Sequence, residues 1–203
     1  MIHKNFTYSE LLTLGWNKTK EHFWFLFTIA LIYLVAMGAV GNVPVISSIV
    51  SMILTIAVTA VSLTIVHGHT PKYDDMIKPF RTYKVLWHYF LSSIMYFFAI
   101  VIGLILLIIP GIYFGVRLQF FIYSIIENED LGPVDALEKS MKLTKGRFWY
   151  LFGFIMMVIL VNLIGVLALG VGLFFTLPIT GIAYAELYKK LLEQHHTQHN
   201  HTA

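Results

Sequence analysis

The side chain best placed to do chemistry is Arg117, a full charge inside a long apolar stretch. From Val85 to Ile109 there is no Asp, Glu, Lys or Arg, Pro110-Gly111 interrupts the run, and Ile112 to Ile126 is apolar again except for Arg117 and Gln119. A guanidinium at such a depth costs about 2.5–3.5 kcal/mol on insertion scales, so it needs a compensating environment. Three readings stand. It snorkels to the outer interface. It is a structural hub bonded to carbonyls, Gln119 or Asn162. Or its planar fork binds an anionic solute or a lipid headgroup. Gly111-x-x-x-Gly115 immediately before it permits a close helix approach.

A second pattern is a hydroxyl stripe. Ser47, Ser51, Thr55 and Thr59 recur every four residues, which aligns them on one helix face. They line a polar conduit or hydrogen-bond a neighbouring helix, and packing is the expected role. Histidines cluster twice, as His195-His196-x-x-His199-x-His201 and as His67-Gly68-His69 near Asp74, Asp75 and His88. Imidazoles on a polar tail make a weak metal site, so no metal and no cofactor is assigned. The chain has no His-Glu-x-x-His, no phosphate-binding Gly-rich loop, no Gly-x-Ser-x-Gly and no paired acids within an apolar run. Its cysteine count of zero removes disulfides, thiolate ligands and a thiol nucleophile. Without an activated nucleophile or a buried acid–base pair, no enzymatic chemistry is expected.

These residues sit in elements that composition assigns to a membrane. The chain has 203 residues, 58% hydrophobic and 12% charged, with a mean hydropathy of +0.75. Soluble domains carry about 25% charged residues. The net charge of +3 is too small to argue for nucleic acid. Apolar runs predict spans at about 23–40, 45–66, 86–109, 111–127, 148–169 and 172–188, followed by a polar His-rich tail over 189–203. The turns are expected at Gly41-Asn42-Val43-Pro44, Pro110-Gly111 and Gly170-Val171-Gly172. Phe23 onward is expected to be a retained span, because the leader is long and no clean cleavage site follows.

Ahead of the first span, Thr7-x-x-Glu10 fits a capping box, and Leu11, Leu12 and Trp16 share one side of the helix it would start. That helix lies in the headgroup layer or packs on the bundle. A helix over Pro133 to Lys145 would place Val134, Leu137 and Met141 on its apolar face.

Charge decides the threading. Thirteen of the fourteen Lys and Arg fall in the segments 1–22, 67–85, 127–147 and 189–203. The turns between them carry none. Basic residues near span ends stay in the cytoplasm, so an even number of spans with both termini inside is expected. Residues 9–28 and 134–153 also align without a gap at an offset of 125, pairing Lys20 with Lys145 and Phe23-Trp24 with Phe148-Trp149. Met76 to Phe90 has the same grammar. The expected fold is therefore all-α, a polytopic six-span bundle in one membrane domain, built from three units of interfacial helix plus transmembrane hairpin.

A family resemblance enters through particular residues. Pro110-Gly111-x-Tyr113, Arg117, the Glu127 to Gly132 turn, Ala136-Leu137-x-x-Ser140 and Lys145-Gly146 resemble a broad bacterial family of uncharacterised polytopic membrane proteins. Thr176-Leu177-Pro178 and Ala183-x-x-Glu186-Leu187-Tyr188 are similar to it as well, so the likeness covers roughly 86–192. The family includes the membrane domain fused to some glycerophosphodiester phosphodiesterases, whose barrel and activity are not carried over. The resemblance implies an integral inner-membrane protein.

The expected function is that of a non-enzymatic scaffold or lipid-interacting component of the bacterial inner (plasma) membrane. Its expected partners are membrane lipids, with a homo-oligomer or another membrane protein as further candidates. The alternative is a small transporter or channel for an anionic solute or lipid, using Arg117 and the hydroxyl stripe.

Overall fold

In the computed structural model, which describes residues 6–40, 43–106, 108–168 and 172–200, every regular element is helical. Apolar segments in hydrocarbon must satisfy their own backbone groups, which a helix does internally. The turn residues Gly41-Asn42 and Gly170-Val171, and the side chains of His196, His199 and His201, lie outside the described residues.

Helix α1 covers Tyr8–Glu21 and opens on the expected capping box, Thr7 donating its N–H to Glu10 Oε2 at 3.3 Å. Then come α2 (Phe23–Val40) and α3 (Pro44–Val66), with Pro44 at the first helical position. Proline suits that position because its missing N–H would have no partner there. A short α4 (Tyr73–Ile77) and a 3-10 turn (Lys78–Phe80) precede α5 (Tyr83–Leu106). This is less than the amphipathic helix expected before the third span. Pro79 bars its predecessor from continuing an α-helix.

Helices α6 (Ile108–Leu118), α7 (Phe121–Glu127), α8 (Pro133–Leu143), α9 (Phe148–Leu167) and α10 (Leu173–Asn200) complete the chain. Among the described residues, five segments are long and apolar enough to cross a membrane: α2, α3, α5, α6 with α7, and α9. The apolar part of α10 meets Glu186, Lys189 and Lys190 before reaching the roughly 20 residues a span needs.

Four expectations need adjusting. The hairpin turns ahead of Pro110, which lies in the first turn of α6, where a missing N–H costs nothing. The fourth apolar segment breaks at Gln119-Phe120 into α6 and α7. Helix α10 does not end at Tyr188 but runs to Asn200, since Ile182 to Asn200 contains no Gly or Pro to stop it. Finally, α8 buries Ala136, Leu137 and Ser140, while Val134 is exposed.

The chain forms two compact units, Met1–Ile77 with Ile155–Leu187, and Lys78–Phe154 with Tyr188–Ala203. In the first, α3 packs on α2 and on α4, and Phe23 stacks on Phe175 at 5.4 Å. Helix α1 lies against α10: a Cβ on Gly15 would stand 2.4 Å from the Ile179 carbonyl oxygen. In the second unit, α5 pairs with α6, and α8 packs against α5, α6 and α7. Lys84 Nζ meets Asp130 Oδ1 at 2.6 Å, and Ser92 donates to the Pro133 carbonyl at 3.1 Å. So the charged segments 67–85 and 127–147 touch each other.

The sequence repeat has a structural counterpart. Leu11, Gly15 and Thr19 are the buried residues of α1, and their partners at the offset of 125, Ala136, Ser140 and Thr144, are buried on and just after α8. Both helices thus press a face that mixes leucine with small residues onto a neighbouring helix instead of lying free at a surface.

Candidate functional site

Three constellations bear on function, and each lies within a single unit. The first surrounds Arg117, in the last turn of α6 and 8% exposed. Its Nε donates to Thr144 Oγ1 at 2.8 Å, Nη1 to the Tyr113 hydroxyl at 2.6 Å, and Nη2 to the Met141 carbonyl. The guanidinium also stands 5.3 Å from the Tyr113 ring centroid. These acceptors are neutral oxygens, and each of the three nitrogens holds one. A cation at a helix C-terminus also gains from the helix dipole.

The same contacts explain the break in the helix. Between α6 and α7, the Arg117 carbonyl and the Phe120 N–H lie on opposite sides of the interruption. Ser140 Oγ donates to that carbonyl at 2.9 Å and accepts from that N–H at 3.1 Å. Thr144 Oγ1 adds a second reach to the carbonyl at 3.0 Å, and its single proton is shared with the Ser140 carbonyl at 2.8 Å. A buried backbone group left without a partner costs about 1–3 kcal/mol. Ser140 and Thr144, one turn apart on α8, therefore make the break tolerable.

The second constellation ties α7 to α8 and α10. The fully buried Tyr188 donates to Glu127 Oε2 at 2.7 Å, and Ser124 Oγ lies 3.4 Å from the same hydroxyl. Lys139 Nζ is 3.7 Å from Glu127 and 6.0 Å above the Tyr188 ring. Glu127 thus does more than end an apolar run. Arg147, by contrast, is buried and donates to Gln194, and burial lowers its pKa from the ordinary arginine value.

The third is a cavity of about 370 Å³ in the first unit, bounded by α2, α3 and α10. Leu26, Ile29, Val61, Leu177 and Ile182 supply apolar wall. Thr55, Thr59 and Ser62 border it too, but their hydroxyls donate to the carbonyls of Ser51, Thr55 and Val58 at 2.7, 2.8 and 2.9 Å. The stripe's hydrogen bonds therefore stay on its own helix.

The residues singled out from sequence are dispersed. Thr55 and Thr59 line the cavity, whereas Ser47 bonds the Pro44 carbonyl at 3.0 Å and Ser51 is not part of the lining. Gln119 donates to the Val116 carbonyl at 2.9 Å, and Asn162 to Thr180 at 3.4 Å. Arg117 has Tyr113, Met141 and Thr144 in their place. Tyr113, Ser140 and Tyr188 belong to the motif residues of the family resemblance, which is the signal that marks them in the sequence; Thr144 is flagged by standing four residues after Ser140. Among the described residues no three His, Asp or Glu side chains converge to hold a metal.

A family profile described as a protein of unknown function, DUF975, matches residues 91–195. That range takes in Arg117 with all its partners and the Glu127–Tyr188 pair. No curated protein and no solved structure matches the chain. With more than half of its length matched, and with both polar constellations of the second unit inside the match, the chain belongs to the DUF975 family of proteins of unknown function.

Proposed function

We propose that this chain is a non-enzymatic, multi-pass protein of the bacterial inner membrane that acts through contact with lipid, as a scaffold or lipid-interacting component. One observation carries the reading. Trp24, Trp87 and Trp149, each in the opening turns of an apolar helix, are 77%, 55% and 79% exposed. In water that is a wasteful way to hold three indoles. At a membrane–water interface the apolar ring and its N–H are both satisfied. Beyond each indole the helix continues as exposed apolar surface, with Leu34 and Val35 on α2, Phe97 and Ile102 on α5, and Leu160 and Ile164 on α9.

The threading we favour has six spans, with the first half of α10 as the sixth, both termini cytoplasmic, and three units of short helix plus hairpin. The segregation of basic residues supports it, as does the contact of Lys84 with Asp130. Solvent-exposed bases such as Lys142 and Lys145 would each gain about 1 kcal/mol near an anionic leaflet. The likeness to membrane domains fused to glycerophosphodiester phosphodiesterases supports a lipid-side role and brings no hydrolysis with it. Arg117 engages Tyr113, Thr144 and the Met141 carbonyl with all three guanidinium nitrogens, which supports a structural role over anion transport.

The test uses the absence of native cysteine. Single cysteines at Ile105, near a hairpin tip, and at Lys142 are treated with a membrane-impermeant maleimide on intact cells. The expected result is labelling of Ile105→Cys before lysis and of Lys142→Cys only after it. Labelling of Lys142→Cys in intact cells would overturn the threading.

A further inference from the structure

We infer that the cavity between α2, α3 and α10 holds part of one acyl chain of a membrane lipid. The inference rests on the membrane reading above and deepens it by naming what is bound and where.

The chemistry of the wall selects the occupant. The Thr55, Thr59 and Ser62 hydroxyl protons are committed to carbonyls of α3 itself, so none of the three is free to donate to an anion, and Tyr33 is the one further hydroxyl-bearing side chain of the lining. What remains of the lining is mostly hydrocarbon, from Leu26, Ile29, Val61, Leu177 and Ile182. Apolar cavities of about 150 Å³ stay dry and bind benzene. At about 370 Å³ this one exceeds that and falls within the range of small-ligand pockets, about 300–1,000 Å³. It is large enough for part of one chain and too small for a whole two-chain lipid.

Position selects the same occupant. The α3 lining runs from Thr55, the midpoint of the 23-residue helix, to Ser62, four residues before its end. The cavity therefore reaches from mid-helix to about 6 Å from that end at 1.5 Å per residue, within the depth of an acyl chain. Helices α2 and α3 are both candidate spans, and the outer surface of α2 next to the cavity exposes Leu31, Ile32 and Leu34. Hydrocarbon chains are the solvent there. Gly181 adds to the room: a Cβ at that position would meet nothing closer than Ser62 Oγ at 3.6 Å, an ordinary contact. A larger side chain at 181 would fit the backbone and fill the space.

The experiment reconstitutes the full chain in vesicles of phosphatidylethanolamine and phosphatidylglycerol carrying a trace of phosphatidylglycerol with a diazirine in its acyl chain. After photolysis, adducts are mapped by mass spectrometry. Wild type should show adducts concentrated on Thr55–Ser62 and Leu177–Ile182, above those on the exposed Leu31, Ile32, Leu34 and Val35. Gly181→Leu should reduce the cavity adducts about tenfold or more, given that one methylene in an apolar pocket shifts preference about 10- to 200-fold. Gly38→Leu, at a glycine with open space around it, should leave them unchanged. Ala30→Leu, on the opposite wall, repeats the test should Gly181→Leu misfold. Wild-type adducts no denser in the cavity than on the exposed faces would overturn the inference, as would cavity adducts indifferent to both filling variants. Should even the exposed faces of α2, α5 and α9 stay unlabelled, the membrane reading fails with it, so the two failures are distinguishable.

Discussion

Ser140 holds both sides of the break beside Arg117, donating its hydroxyl to the Arg117 carbonyl at 2.9 Å while accepting the Phe120 N–H at 3.1 Å. The interruption of the fourth apolar segment is therefore a joint between two elements, α6–α7 and α8, and not a defect in one. The Arg117 side chain reinforces it by crossing to Thr144 and the Met141 carbonyl. A charged side chain and two hydroxyls so close together could be taken for a binding site, but each guanidinium nitrogen already donates within the chain and both hydroxyls bond the joint itself.

Ser140→Ala should therefore destabilise the fold by about 1–3 kcal/mol, the cost of a buried group left unpaired. Thr144 still reaches the carbonyl at 3.0 Å, so the Phe120 N–H bears the loss. Ser48→Ala, which removes only an exposed bond to the Pro44 carbonyl, is the control, expected within about 0.5 kcal/mol. Thermal unfolding in dodecylmaltoside micelles measures both. Equal midpoints for the two variants would remove Ser140 from the joint.

Arg117→Lys separates a hub from an anion site. A single ammonium cannot reproduce a planar fork with three bonded nitrogens, so the variant should lose about 1–3 kcal/mol of stability while keeping its charge. If the guanidinium serves structure alone, added phosphate should raise the unfolding midpoint of neither protein. A midpoint that climbs with phosphate in wild type and not in Arg117→Lys would restore the anion reading.

Much of this arrangement is legible in the sequence, and the parts that are not share a cause. Hydropathy locates the long helices, Thr7 and Glu10 announce the start of α1, and a lone charge in hydrocarbon points to Arg117. The break at Gln119-Phe120 leaves no local trace, because no Gly or Pro lies between Val116 and Ile126. It exists because a partner twenty or more residues away bonds the freed backbone groups, and such partners are invisible to periodicity. The buried face of α8 is hidden likewise: its apolar pattern favours Val134 and Met141, but the buried residues are Ala136, Leu137, Ser140 and Leu143, and Ser140 reaches the Arg117 carbonyl of α6. Even there the 125-residue repeat was informative, since Leu11, Gly15 and Thr19 mark the same register in α1.

Glycines near the α5–α6 tip give predictions of opposite sign. A Cβ on Gly103 would lie 2.7 Å from the Gly111 nitrogen and 2.8 Å from its Cα, backbone atoms that cannot rotate away. Gly103→Ala should open the hairpin and cost about 1–3 kcal/mol, as overpacking does. At Gly115 the nearest atoms are 3.8 and 3.9 Å away. Gly115→Ala should be neutral or stabilising by up to about 1 kcal/mol through helix propensity. The same micelle unfolding assay ranks them, and a Gly115→Ala variant weaker than Gly103→Ala would show that the close approach lies at the other glycine of the Gly111-x-x-x-Gly115 pair.

The contact between Lys84 and Asp130 makes a prediction about pH. The hydrogen bond from Lys84, followed by its charge, holds the Asp130 carboxyl below the usual aspartate value, which is about 3.9 when unperturbed. A lowered folded-state pKa contributes stability that is present in full above the unfolded value and is lost as pH falls through the folded one. Both side chains are largely exposed, so salt and solvent keep the contribution small, and titration is a better readout than unfolding. Carbon-13 NMR of the aspartate carboxyls should show Asp130 titrating below the ordinary aspartate range, and Lys84→Met should raise the Asp130 midpoint toward it. An Asp130 titration unchanged by Lys84→Met would mean that the segments 67–85 and 127–147 do not meet at this pair, and the support it lends to a shared cytoplasmic face would be withdrawn.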